Sequence, residues 1–163
     1  MPDTFIKIAS VTVGSGGAAS MSFSSIPSTY TDLVVKCSMR STTTDNSLSL
    51  QFNGTGINSN RKVEGDGSAA SSSNRTDFYL TGVVNPSNAT SNTFGNFELY
   101  IPNYTASINK SFSVDAVTEN NGTLAYASLF AGIWNTTSAI TSITISNALA
   151  QYSTATLYGI SKS

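Results

Sequence analysis

The chain contains no histidine among its 163 residues. That removes the usual general base, the usual metal ligand and the only side chain that titrates near neutrality without help. Charge is scarce as well, at 10% of residues against about 25% in ordinary domains. There is one cysteine, Cys37, so no internal disulfide can form. Glu, Lys and Leu are infrequent, which leaves few strong helix formers. No apolar run approaches the length needed to cross a bilayer. Met1–Lys7 lacks the basic stretch and long apolar run of a secretory signal, so synthesis in a cytoplasm without export by that route is expected. The eight Lys and Arg are scattered, giving no footprint for nucleic acid.

What is present favours strands and turns. Ser and Thr make up roughly three residues in ten, and aromatics reach 10%. The formal net charge is −1, so self-repulsion contributes little to solubility, as suits a surface that is covered or assembled. The length fits one domain, and residues 1–163 contain no linker that would divide them.

The most regular stretch is the last one, Gln151–Ile160. Thr154, Thr156, Tyr158 and Ile160 alternate with Ala155, Leu157 and Gly159, a period of two. It is expected to pair inside a sheet and close the fold. From the start, Phe5–Val13 reads as a strand, broken by Gly14-Ser15-Gly16-Gly17, and Ala18–Phe23 resumes as a hairpin partner. That Gly-rich loop has no following Lys and opens no helix, so it reads as a turn and not a phosphate cradle. Pro27 makes Ile26–Asp32 a corner. Leu33, Val35, Cys37 and Met39 then face the core, with Val34, Lys36, Ser38 and Arg40 outward. Cys37 is a small buried hydrophobe on this reading, with no base to activate it.

Leu48–Phe52 alternates, and Asn53-Gly54 is a strong hairpin signal. Thr55–Asn74 is polar and loosely patterned. It is expected to be a surface loop and a first place to look for a partner contact. Glu64 and Asp66 do not have the spacing of a calcium loop. Strands are expected at Asp77–Val84, around Phe97, Leu99 and Ile101, around Phe112, Val114 and Ala116, and over Leu124–Trp134 after an Asn121-Gly122 turn. Both faces of that last segment are apolar, which suggests a central strand. Ile143 and Ile145 lie in the next. Leu33, Val35, Phe97, Leu99, Leu129 and Leu157 are expected in the core.

The sum is an all-β chain of about nine or ten strands, an antiparallel two-sheet, jelly-roll-like sandwich. No catalytic, cofactor-binding or metal-binding residue is assigned, and no cofactor is expected. Asp32, Asp115 and Glu119 lie near strand ends, too few acids to argue for a glycosidase pair. Seven Asn-x-Ser/Thr sequons, at Asn53, Asn74, Asn88, Asn103, Asn109, Asn121 and Asn135, follow from a chain rich in Asn, Ser and Thr. Tyr79, Tyr100, Tyr104, Tyr126 and Trp134 could stack on sugars, but aromatics in a sandwich are more often core or strand-face residues.

Several stretches, Ile8–Ser20, Phe23–Leu33 with its Ser-Ile-Pro-Ser-Thr-Tyr-Thr-Asp-Leu run, Tyr100–Tyr104, Asn109–Ser113 and Tyr152–Ile160, resemble small virion structural proteins of aquatic tailed bacteriophages. The resemblance implies a non-enzymatic capsid decoration (cement) protein on the outer head surface, made in the host bacterial cytoplasm. Its partner would be the major capsid protein, with no nucleic acid or membrane involved. The alternative is a tail or tail-fibre module that binds a host-surface glycan or protein. A homotrimer is expected, because three linked weak contacts match a local three-fold of an icosahedral shell. Met1–Ile6 and Thr55–Asn74 are the expected contact segments.

Overall fold

The computed structural model describes residues 4–122 and 125–161 and contains thirteen strands and no helix among them. They are β1 (Phe5–Thr12), β2 (Ala18–Phe23), β3 (Asp32–Met39), β4 (Ser47–Phe52), β5 (Thr55–Gly56), β6 (Ser59–Gly65), β7 (Ala70–Arg75), β8 (Tyr79–Thr81), β9 (Gly95–Ile101), β10 (Lys110–Val117), β11 (Ala127–Trp134), β12 (Ile143–Leu149) and β13 (Thr154–Ile160). One sheet has eight strands in the order β1-β13-β3-β9-β10-β11-β6-β7. The other runs β2-β12-β4-β5, with β8 also paired to β4.

Four pairings define the topology. β1 pairs with β13, β2 with β12, β3 with β9 and β4 with β8, all antiparallel. The chain therefore behaves as a long two-stranded ribbon whose successive segments fall alternately in the two sheets. That wrapping is a jelly roll. Two insertions depart from it. β5–β7 lie between β4 and β8, and β10–β11 between β9 and β12. They meet through the β11–β6 ladder and extend the larger sheet by four strands.

The terminal strand sits where its alternation places it, between β1 and β3, with Ala155 and Leu157 fully buried. Leu33, Val35, Leu99 and Ile101 face the same core. Each buried aliphatic side chain of this size contributes about 1.5–3 kcal/mol. Asn53 and Gly54 both take positive φ, 52° and 76°, between the paired Phe52 and Thr55. This is the two-residue turn their sequence calls for. In the inserted part, Phe52 of the small sheet stands edge-on to Phe112 and Trp134 at 5.7 and 5.8 Å between ring centroids. Gly132 lets the Phe112 ring lie flat against β11, since a Cβ there would fall 2.1 Å from its Cζ.

Polar side chains lock the connections. The Arg40 guanidinium donates to the carbonyls of Ser87, Ala89, Thr90 and Thr93 and so shapes the link before β9. Lys110 is buried, and its Nζ donates to the carbonyls of Ala106 at 2.6 Å, Ile108 at 2.5 Å and Thr137 at 3.4 Å. Desolvation pulls its pKa below the ordinary lysine value. The carbonyl cage supplies the hydrogen bonds that a buried ammonium requires.

Four expectations need correction. There are thirteen strands, more than nine or ten, chiefly because Thr55–Asn74 is not a loop: β5, β6 and most of β7 occupy it. Leu129 is not in the core; it is 61% exposed, and Ser128, Phe130 and Trp134 point inward instead. Both sides of β11 are apolar, so alternation separates two faces without saying which is covered. Val34 lies on the outward side with Lys36, as expected, but is buried there in a rank between Tyr158 and Tyr100. The strand expected at Asp77–Val84 is only Tyr79–Thr81. Leu124, the expected start of β11, lies outside the described residues.

Candidate interaction surface

Most of the acids account for themselves as structure. Asp32 accepts from the Tyr100 hydroxyl at 2.9 Å and the Asn103 amide at 2.8 Å, holding β3 to the end of β9. That bond raises the Tyr100 pKa. Asp66 accepts from the Ser68 and Ala69 amides in the β6–β7 turn, which holds its carboxyl below the ordinary range. Glu119 caps the Asn121 amide at 2.6 Å. Glu64 pairs with Lys62 at 2.6 Å on the inner side of β6, where Thr81 also accepts from the lysine. Among the described residues, no three His, Cys, Asp or Glu side chains gather to hold a metal ion. No helix there is long and apolar enough to span a membrane.

Cys37 is buried, and burial pushes its thiol well up. A thiol so held is poorly nucleophilic. The Gly14–Gly17 loop is a turn closed by the Gly17 amide on the Gly14 carbonyl at 3.3 Å. Asn53 spends its side chain on Ala139, Thr141 and Ser142, so that sequon is part of a structural clasp.

The five aromatic candidates do not all share a role. Tyr104 is fully buried, with its hydroxyl on the Pro27 carbonyl, and Trp134 is buried with Nε1 donating to Thr55 Oγ1 at 3.0 Å. Tyr100 is tied to Asp32. Tyr79 is 39% exposed and lies against Phe78 at 4.5 Å. Tyr126 lines a cleft of about 430 Å³ whose uncharged wall mixes Thr44, Asn46, Asn88 and Thr90 with Val84, Pro86 and Ala89.

The more telling surface is the outward face of the larger sheet. Its register sets residues in ranks across the strands. One rank reads Ser10, Thr156, Lys36, Glu98, Asp115, Leu129, Val63, Ser72 from β1 to β7. Up to Asp115 it is polar, and Lys36 pairs with Glu98 at 3.0 Å. Beyond it, Leu129 and Val63 stand directly opposite each other, 61% and 59% exposed. Val117 and Ile133 extend the apolar strip at 42% and 36% exposed, with Ala127 and Ala131 between. Scattered apolar side chains on a surface need no explanation, whereas a contiguous strip marks a contact site.

The two outer strands of this sheet differ as edges. β1 carries Lys7 and an irregularity between Lys7 and Ala9, both of which discourage pairing with another chain. β7 pairs with β6 in unbroken register and has no proline, bulge or charge before Arg75. The first expected contact segment thus ends on one edge of this sheet, and β6 and β7 of the second form its other edge, while β5 lies in the smaller sheet. Of Met1–Ile6, residues 1–3 lie outside the described residues, and Phe5 and Ile6 are exposed on β1. The sequence signal for the strip was already present in the doubly apolar pattern of β11. That pattern by itself suggests burial on both sides, and the exposure of Leu129 and Ile133 shows one side bare.

Comparison with protein-family models, with curated proteins and with solved structures finds no match to this chain.

Proposed function

We propose that this chain is a structural subunit of a bacteriophage virion, a decoration protein that sits on the outer head surface and ties major capsid subunits together. The observation that carries this reading is the apolar strip on the outward face of the inserted strands, a surface suited to assembly with other protein subunits, copies of this chain included. The strip is displayed on a helix-free jelly roll whose ionisable side chains mostly serve turns, clasps and ion pairs. Such a body holds a contact surface rigidly at little entropic cost on binding. The mechanism is mass action: contacts that exist only in the assembled shell stabilise that shell. A homotrimer suits the role, since three linked weak contacts give avidity that none gives alone. The sequence resemblance to small virion proteins of tailed phages points the same way, and jelly rolls recur among viral shells. Fold alone does not assign a function.

A second reading, a tail module that binds a host glycan, draws on the uncharged cleft beside Tyr126, whose amides and hydroxyls match sugar hydroxyls in chemistry. Copy number separates the two. Quantitative mass spectrometry of purified virions is expected to find hundreds of copies per particle; a few to a few dozen would overturn the decoration reading in favour of the tail.

A further inference from the structure

The apolar strip has unlike flanks. On the β10 side stands Asp115, directly across from Glu98. Glu98 already has Lys36, while no salt bridge joins Asp115 to a cation among the described residues. Like charges directly opposite in a sheet are unfavourable, so a further cation at Asp115 would relieve the pair. On the β6 side stands Arg61, exposed and opposite Ala131. Its only hydrogen bond among the described residues is to the neighbouring Asn60 carbonyl, and it has no carboxylate within salt-bridge range there. Leu129 and Val63 lie between the two. The strip therefore has an acid on one flank and a base on the other. The two are one rank apart, about 7 Å along the strands, within reach of an arginine side chain.

A surface of this kind complements a second copy of itself. We infer that the outward face of β10, β11 and β6 is where copies of this chain meet, the β10 flank of one against the β6 flank of the next. Leu129 and Val63 are packed at the centre, and Asp115 pairs with Arg61 across the contact. The inference rests on the oligomeric reading above and specifies the surface that reading requires. Rotation about an axis running along β11 brings unlike flanks together, and repeating it three times closes a ring with no face left over. Charge at the rim then sets register, while the apolar centre supplies the binding energy.

The test is the solution mass of the full chain, by sedimentation velocity and light scattering, for the wild type and four variants. Wild type is expected at three times the 17.0 kDa of the chain. Leu129→Lys is expected to be a monomer with unchanged far-ultraviolet circular dichroism, since the side chain it replaces faces water in the single chain. Asp115→Arg and Arg61→Asp are each expected to weaken assembly at least tenfold, and the double variant Asp115→Arg/Arg61→Asp to restore it. A trimer untouched by Leu129→Lys, or a double variant no better than the singles, overturns this surface and leaves the trimer standing. A wild-type dimer abolished by Leu129→Lys keeps the surface and overturns the trimer. A wild-type monomer overturns both, and loss of its binding to purified heads in Leu129→Lys would then assign the strip to the capsid subunit.

Discussion

The two halves of the larger sheet share one inner core and differ on the outside. In the jelly-roll half, β13, β3 and β9 present Thr154, Thr156, Lys36 and Glu98, with Tyr158 and Tyr100 on either side of the buried Val34. In the inserted half, β10, β11 and β6 present Val117, Leu129, Ile133 and Val63. The inner faces of β10 and β11 are apolar too, with Phe112, Val114, Phe130 and Trp134 buried, and the contrast appears only beyond them. The jelly-roll half buries Leu33, Val35, Leu99 and Leu157, whereas the far inserted strands turn Lys62, Glu64, Ser71 and Ser128 inward around one ion pair. The exposed apolar side chains of β11 and β6, Leu129, Ile133 and Val63, are poorly matched to water as a single chain. They are well matched to a neighbour. On the reading proposed above, the insertions carry the interaction chemistry and the four ribbon pairs carry the stability.

The sharpest break of that comparison lies within one strand. Phe130→Ala empties part of the inner face of β11 and is expected to cost about 3–5 kcal/mol. Leu129→Ala, one residue away, is expected to change the stability of the single chain by less than about 0.5 kcal/mol. Denaturant unfolding below the assembly concentration checks both, and equal losses would erase the distinction between the faces.

The ion pairs give the next contrast. Glu64→Gln leaves Lys62, 8% exposed, without its carboxylate, at a cost of about 3 kcal/mol. Glu98→Gln breaks the exposed Lys36 pair, 56% and 46% exposed, for less than about 1 kcal/mol. Urea midpoints of the two variants should separate in that order.

Two glycines under aromatic rings compare the halves again. A Cβ at Gly132 would fall 2.1 Å from the buried Phe112 ring, and one at Gly159 would fall 2.3 Å from Tyr30. Phe112 is walled in by Phe52, while Tyr30 is only partly buried at the edge of the core. Gly132→Ala is expected to cost about 1–3 kcal/mol, and Gly159→Ala less, as read from thermal midpoints.

The smallest effect is with pH. The chain has no histidine, so the thermal midpoint should be flat from about pH 5 to 8. Asp77, hydrogen-bonded to Arg75, and Asp66, held by its turn amides, both titrate below the ordinary 3.8 when folded. Their contribution is present above that value and is lost as pH falls through the lowered ones. Asp66→Asn should soften the acid limb and lower the plateau slightly, since the contribution it removes is the one present there.

Much of the fold was legible because local patterns coincided with pairing. β3, β9, β10 and β13 alternate cleanly, and Asn53-Gly54 marks its own turn. β6 and β7 were not legible. Ser71-Ser72-Ser73 has little strand preference, and Lys62 and Glu64 face inward, against the rule that charge points out. Their hairpin is fixed by β11, far along the chain. Arg40 was equally silent, since nothing beside it announces the four carbonyls it gathers from residues 87–93. The interaction strip was half legible. The apolar pattern of Ala127–Trp134 is plain, but choosing its covered face required Phe52 and Phe112 from two other strands.

What the inserted half of the sheet touches decides between the readings, and a cryo-electron-microscopy map of the proposed virion measures that directly. It should show this protein as three-fold clusters on the outer head, with Leu129 and Val63 turned toward the cluster axis. Density confined to the tail, or isolated copies on the head with that face bare, would contradict it.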